Sequence, residues 1–152
     1  MFLFQIFLAN KKITFNSYLN MNKNYELTLL ARPDVSDEDL KLALRTIKDI
    51  IISNNNSIIY AEYWGLRQLA YPINKNNSAH FYMIQFNADK ETNAIIEEKI
   101  KTSEIFIRHL LIVVEEEDLK VKSSNSMING DQDDVVCDKR YLNIVSDVFN
   151  VK

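Results

Sequence analysis

Three basic side chains share one stretch of the sequence that contains no carboxylate. Arg67, Lys75 and His80 fall between Tyr63 and Ala88, where there is no Asp or Glu, although the whole chain has a formal net charge of −3. A guanidinium can hold a phosphate with two hydrogen bonds or stack on a base, and a lysine supplies a mobile positive charge. Amide and aromatic side chains in the same stretch can read and stack on RNA bases. This combination favours contact with a polyanion.

The candidate RNA-contacting residues are polar or aromatic, and all but one belong to this stretch. They are Arg67, Gln68, Tyr71, Asn74, Lys75, Asn76, His80 and, near the start of the first predicted strand, Lys23. For Arg67 and Lys75 the sequence offers no nearby carboxylate, which favours RNA over an internal ion pair. Trp64, Leu66 and Leu69 are instead expected to pack in or near a sheet. Gly65 predicts a β-bulge or a close backbone approach.

Two strand-like runs surround these residues and must position them. Ile58–Tyr63 and Ala79–Phe86 are rich in β-branched and aromatic residues, as strands are. Between the runs, Pro72 and the polar segment Asn74–Ser78 predict a hairpin loop. We therefore expect the cationic side chains to lie along and at the tip of a β-hairpin.

The rest of the domain is predicted by periodicity. Tyr25–Arg32 alternates like a half-buried strand and ends at Pro33, and Ile105–Val114 is an apolar strand. Ser36 opens a capping box before a helix with an apolar stripe at Leu40, Leu44, Ile47 and Ile51. A second helix begins near Asp89, with Ile95, Ile96 and Ile100 expected on its buried side.

The resulting order over residues 21–115 is β-α-β-β-α-β. This order predicts an α+β, ferredoxin-like fold: a four-stranded antiparallel sheet with two helices on one face. The open face of such a sheet is available for partners.

Catalytic chemistry is disfavoured by what the sequence lacks. His80 and His109 are the only histidines, and both lie in predicted strands. Cys137, the only cysteine, has Asp neighbours that disfavour its thiolate, and a single cysteine fits a reducing compartment. There is no metal-ligand spacing and no Gly-rich phosphate loop, and no apolar run approaches the ~20 residues of a membrane helix. We expect no enzyme activity, cofactor, metal, membrane or small-molecule substrate.

The stretch Trp64-Gly-Leu-Arg-Gln-Leu-Ala-Tyr-Pro-Ile-Asn-Lys75, with Ala79-His80-Phe81 after it, closely resembles the β2–β3 region of bacterial-type small-subunit ribosomal protein S6. Tyr25-Glu26 and Arg32-Pro33-Asp34 extend the resemblance, which covers roughly residues 22–115. Leu66 stands where many relatives carry a basic residue.

The resemblance implies a structural constituent of the small ribosomal subunit. Such a protein would bind the central domain of small-subunit ribosomal RNA together with ribosomal protein S18, which would supply much of the positive charge. The implied location is a cytoplasmic ribosome, with a mitochondrial ribosome as the alternative.

Two functions other than a ribosomal one are compatible with the same order of strands and helices. A stand-alone single-strand RNA-binding module of the RNA-recognition-motif type has the same element order, and His80–Phe86 sets aromatic residues along its third strand. However, the basic-Gly-aromatic opening of that motif is absent. A small phosphate-transferring hydrolase would need an anion-cradling, Gly-containing loop, which is also absent.

The two ends of the chain are predicted to lie outside the core. Residues 1–20 read as a non-core N-terminal extension, and residues 116–152 as an acidic, largely disordered tail. Within the tail, 141–149 regains an apolar stripe, which is compatible with a short helix that packs on a partner or folds back onto this domain. An isolated helix this short is marginal in water, and we expect the segment to order on a protein partner. The expected partner-contacting residues are Tyr63, Trp64, Leu66, Tyr141, Val145 and Phe149.

Overall fold

The structure, a computed structural model, describes residues 21–119 and 139–149. Within them a four-stranded sheet has the order β2-β3-β1-β4, and neighbouring strands run antiparallel. The strands are β1 (Lys23–Ala31), β2 (Ser57–Ile73), β3 (Asn76–Ala88) and β4 (Phe106–Val113). The helices are α1 (Asp37–Ser53), α2 (Lys90–Thr102) and α3 (Lys139–Phe149), and a 3₁₀ turn covers Glu116–Asp118. The predicted ferredoxin-like order is confirmed, with a third helix after β4.

Two predictions fall partly beyond the described residues. The N-terminal extension, residues 1–20, lies outside them, as do residues 120–138 and 150–152 of the predicted tail, including Cys137. Among the described helices, none combines the length and the apolar character needed to cross a membrane.

Alternation along the strands separates a covered face of the sheet from an open one. Tyr25, Leu27 and Leu29 of β1 are buried against the helices, as their period of two predicts. The side chains between them point to the opposite, open face of the sheet. There, Gln85 Nε2 donates a hydrogen bond to Glu26 Oε2 at 2.8 Å. In β3 this second face is also buried at Met83 and Gln85. Function that needs solvent access must therefore use the exposed parts of this face, the strand edges or the loops.

Helix α1 begins where its cap places it. The Ser36 hydroxyl accepts a hydrogen bond from the Asp39 backbone N–H at 3.2 Å, which satisfies one of the orphan donors of the first turn. The apolar stripe is buried at all four predicted positions: Leu40, Leu44, Ile47 and Ile51. In α2 the expectation for Ile95 is wrong, because that side chain is exposed while Thr92 and Asn93 turn inward beside Ile96 and Ile100.

The β2–β3 hairpin is longer and its turn tighter than the predicted loop. Only Asn74 and Lys75 form the turn, with φ of 48° and 66°, and Ile73 pairs with Asn76. Two positive φ values are typical of the type I′ turn, which matches the twist of the strands it joins. The polar residues after Lys75 therefore belong to β3 rather than to a loop.

The predicted bulge at Gly65 is confirmed. Tyr63 pairs with Tyr82 but Gly65 pairs with Phe81, so Trp64 is an extra residue in β2. Gly65 has φ of 99°, a conformation in which a Cβ atom would clash. A larger irregularity follows between Gln68 and Ile73, where residues 69–72 have no partners across the hairpin.

Helix α3 packs onto the domain itself. Tyr141, Ile144, Val145, Val148 and Phe149 are buried in the same cluster as the side chains of α1 and the covered face of the sheet. Lys48 Nζ donates to the Val148 carbonyl oxygen at 2.7 Å, and Lys41 Nζ lies 3.5 Å from Asp147 Oδ2. The apolar stripe at 141–149 thus finds its burial surface within the chain.

Candidate nucleic-acid interface

The distal part of the hairpin carries the most exposed aromatic residue of the interface and ties it to β4. Tyr71, 58% exposed, lies in the irregular segment 69–72. Its hydroxyl accepts a hydrogen bond from Arg108 Nη1 at 2.9 Å, and the guanidinium carbon lies 5.9 Å from the ring centroid. Tyr71, a predicted RNA-contacting residue, and Arg108, which was not among the predicted ones, therefore join the hairpin to the start of β4.

Arg67 is exposed on β2, where it pairs with Ala79. Its Nε donates to the Trp64 carbonyl oxygen at 3.3 Å, a neutral acceptor that leaves the positive charge uncompensated. Gln68 follows it, also exposed and paired with Ser78. Within residues 21–119 and 139–149, no carboxylate forms an ion pair with Arg67.

The turn residues divide into exposed and structural ones. Asn74 and Lys75 are exposed at the tip. Asn76 is half-buried, and its Nδ2 donates to the carbonyl oxygens of Ile73 at 3.3 Å and of Asn74 at 3.1 Å. The Asn76 amide therefore holds the turn closed, while Lys75 projects its charge from a backbone conformation that costs a lysine energy.

The structure does not bring His80 to this surface. His80 is 3% exposed on the covered face, and its Nδ1 and the Tyr63 hydroxyl form a hydrogen bond of 2.8 Å. This placement differs from the expected RNA contact. Side chains alternate between the two faces of β3, so His80 lies on the same face as Tyr82 and Ile84, which belong to the core.

Lys23 is exposed but lies at the other end of the sheet. It pairs with Ala88, the last residue of β3, whereas the turn adjoins Asn76, the first. The 13 residues of β3 place its two ends roughly 40 Å apart at the usual rise per residue. Lys23 therefore lies apart from the hairpin turn.

Four of the expected partner-contacting residues lie in the domain's own core. Tyr63, Tyr141, Val145 and Phe149 are all buried. We expected the apolar stripe at 141–149 to order on another protein. In the structure it is buried within the chain because α1 and β2 provide an apolar surface for it. Trp64 and Leu66 remain half-buried, with Trp64 Nε1 donating to Glu62 Oε2 at 3.0 Å.

Sequence reasoning missed Arg108 and Arg32. Both interrupt or end apolar strands, and in the structure they meet near the hairpin turn because β4 pairs with β1. An arginine inside an otherwise apolar strand was the available signal for Arg108. The register that brings it opposite Leu30, next to Arg32, is a long-range relationship that local patterns do not contain.

Two further observations concern the ionisable side chains of the described residues. Among residues 21–119 and 139–149, no group of three His, Cys, Asp or Glu side chains could hold a metal ion. Burial raises the pKa of the Tyr82 hydroxyl far above its usual value, with the nearby Tyr63, Tyr141 and Asp37 adding to the effect. The Tyr82 side chain is enclosed in the core.

Comparison with known proteins agrees with this picture. A family model described as "Ribosomal protein S6" matches residues 24–113. Small ribosomal subunit protein bS6 of Citrifermentans bemidjiense is 33% identical over 97 residues, covering 64% of this chain and 72% of that protein. The bS6 protein of Rickettsia canadensis is 39% identical over 88 residues, covering 58% and 73%.

The fold is also shared with a solved structure. The crystal structure of 30S ribosomal protein S6 from Thermotoga maritima superposes with a TM-score of 0.57 at 24% identity, covering 61% of this chain and 88% of that one. These similarities define a small-subunit ribosomal protein with a ferredoxin-like fold. The chain belongs to the ribosomal protein S6 family. The family-model match ends at residue 113, before α3 begins at Lys139.

Proposed function

We propose that this protein is a structural constituent of the small ribosomal subunit that binds the central domain of small-subunit ribosomal RNA together with ribosomal protein S18. One observation carries the proposal: Arg67 and Lys75 lie in the distal half of the hairpin, Arg108 of β4 contacts the hairpin through Tyr71, and no carboxylate among the described residues pairs with any of the three. Exposed cations without a carboxylate partner are the usual contacts to phosphate. The proposal puts the protein on a cytoplasmic ribosome, with a mitochondrial ribosome as the alternative.

The net charge explains why a second protein is part of the proposal. At −3 the chain as a whole repels RNA at long range, so the hairpin is a local exception. A basic partner seated beside it would supply the missing attraction, and the hairpin would fix the register of the RNA. Ribosomal protein S18 is the partner that the family resemblance implies.

Removal of the hairpin charges tests the proposal. In Arg67→Ala/Lys75→Ala, loss of two phosphate contacts should weaken binding to a central-domain RNA fragment in the presence of S18 and lower the salt slope by roughly 1–2. The matched control is Arg45→Ala/Lys99→Ala, which removes one arginine and one lysine exposed on α1 and α2. Equal slopes in the two variants would contradict the proposal. Circular dichroism checks that both fold.

The RNA-recognition-motif alternative predicts a different result. Such a module stacks bases on the open face of its sheet, but here the carboxylates of Glu26 and Glu62 lie on that face. Short unstructured oligonucleotides titrated against Trp64 fluorescence should therefore bind weakly. Tight binding without S18 would favour the alternative.

A further inference from the structure

An open cleft of about 750 Å³ lies between the hairpin turn and the start of β4. Asn74 and Asn76 line it on the hairpin side, Arg32 at the end of β1, and Arg108 on β4. The Arg32 N–H donates to the Ile105 carbonyl oxygen at 3.0 Å, which joins the end of β1 to the residue before β4. The cleft therefore combines residues of the hairpin turn with residues at the ends of β1 and β4.

The two arginines are the groups most available to an anion in the cleft. Arg108 is held in place by the Tyr71 hydroxyl, a neutral acceptor, and by the face of the Tyr71 ring. Arg32 lies 3.5 Å from Asp34, but their side chains are 38% and 70% exposed, and a pair so exposed is worth little. The atom of Arg32 in this ion pair is Nε, which is buried and at this distance forms no hydrogen bond within the described part of the chain.

The other charged residues of the cleft limit the negative charge of a ligand that can bind there. Lys101 is already paired with Glu97 at 3.0 Å, and the carboxylates of Asp34 and Glu104 also line the walls. These acids oppose a highly charged ligand filling the cleft. They are compatible with one phosphodiester, which carries a single negative charge and can accept from both guanidinium groups.

We propose that Arg32 and Arg108 form a second phosphate site for RNA, with Tyr71 as the positioning residue of Arg108. This inference rests on the proposed function and extends its surface from the hairpin to the ends of β1 and β4. An RNA strand that contacts Lys75 at the tip continues past Asn74 into the cleft. Tyr71 then acts by orienting a guanidinium rather than by stacking on a base.

The test compares charge removal in the cleft with charge removal elsewhere. Arg32→Gln/Arg108→Gln should bind the central-domain fragment with S18 about tenfold or more weakly than the wild type, and its salt slope should fall by roughly 1–2. Arg45→Gln, exposed on α1, is the single-charge control and should match the wild type. Arg32→Lys/Arg108→Lys keeps the charge but loses the planar fork, so it should keep the slope and lose part of the affinity.

Tyr71→Phe separates positioning from stacking. It keeps the ring and removes the hydroxyl that holds Arg108, so it should weaken binding several-fold in the wild-type background. In Arg108→Gln it should have no further effect. An equal loss in both backgrounds would show that Tyr71 contacts RNA independently of Arg108 and would overturn its positioning role.

Three results would overturn the phosphate site. The first is a cleft variant that binds with the wild-type affinity and slope while Arg67→Ala/Lys75→Ala is weakened, which leaves the proposed function standing. The second is a cleft variant that loses affinity for S18 without RNA and keeps its salt slope, since the cleft would then receive protein. The third is a wild-type protein that fails to bind the fragment with S18, which overturns the proposed function as well.

Discussion

The ring of Tyr141 is stacked on the imidazole of His80, with the two centroids 4.1 Å apart. The same imidazole is hydrogen-bonded to Tyr63, whose ring lies 5.6 Å from that of Tyr141. A residue of α3 thus completes a buried aromatic cluster that includes both strands of the hairpin. Helix α3 therefore packs against the covered face of the hairpin that carries Arg67 and Lys75.

Ile144→Ala should lower the free energy of unfolding by about 2–5 kcal/mol. Its side chain is almost fully buried, and truncation loses transfer energy and leaves a cavity. Asn143→Ala, on the exposed side of the same helix, is the control and should stay within about 0.5 kcal/mol of the wild type. Urea titration measures both. Similar values for the two variants would mean that α3 does not pack on the domain in solution.

Backbone amides of residues 141–149 should be protected from hydrogen exchange in the free protein. The reason is that the stripe is buried against α1 and β2 without any partner. Exchange measured by mass spectrometry on the protein alone, and again with S18, gives the comparison. Protection that arises only in the complex would restore the original expectation that this segment orders on a partner.

Tyr82→Phe should stabilise the protein by about 1 kcal/mol. The Tyr82 hydroxyl is buried, and no described group forms a hydrogen bond with it. Folding removes this hydroxyl from water without a compensating hydrogen bond, so its deletion removes that desolvation cost. Tyr63→Phe is the matched control: it deletes a hydroxyl bonded to His80 and should cost about 1–3 kcal/mol. Thermal or urea unfolding of both variants checks the opposite signs. A loss of stability in Tyr82→Phe would contradict the prediction.

The same substitution should also change the alkaline limb of the stability profile. Burial raises the Tyr82 pKa above its ordinary value of 10.0, so in the unfolded chain this group ionises first. Its contribution to stability is complete below pH 10.0 and declines as pH rises further. Tyr82→Phe should therefore lose less stability above that pH than the wild type does.

Lys75→Gly should have opposite effects on stability and on RNA binding. Glycine takes the positive φ of the turn without steric cost, so the free energy of unfolding should rise by about 0.5–1 kcal/mol. Loss of the charge should weaken RNA binding in the presence of S18. Lys75→Ala is the control, with the same loss of binding and no gain in stability. If Lys75→Gly binds RNA as well as the wild type, Lys75 is not a contact.

The elements governed by local patterns were predictable, and those governed by distant contacts were not. The Ser36 cap, the stripe of α1 and the alternation of β1 follow from neighbours within a few residues. The Arg108–Tyr71 contact depends on sheet register and on the path of segment 69–72, which no local spacing encodes.

The burial of His80 and the docking of α3 were missed for a related reason. A helix that is marginal alone becomes stable when a surface far away in the chain receives it. The sequence shows the stripe at 141–149 but not the surface that covers it. Tyr141 and His80 are 61 positions apart in the chain, so their stacking could be read only from the folded structure.

The central position of β1 sets an order in which the sheet can be assembled. Both of its neighbours come later in the chain, with Lys23 paired to Ala88 and Tyr25 paired to Val113. The β2–β3 hairpin, by contrast, closes through the pair Ile73 and Asn76. Its loop is short, so the entropy lost on closing it is small. As the chain leaves the ribosome that makes it, the hairpin can form first and capture β1, while β4 and α3 are added last. The first strand to be synthesised is thus among the last to be fully enclosed.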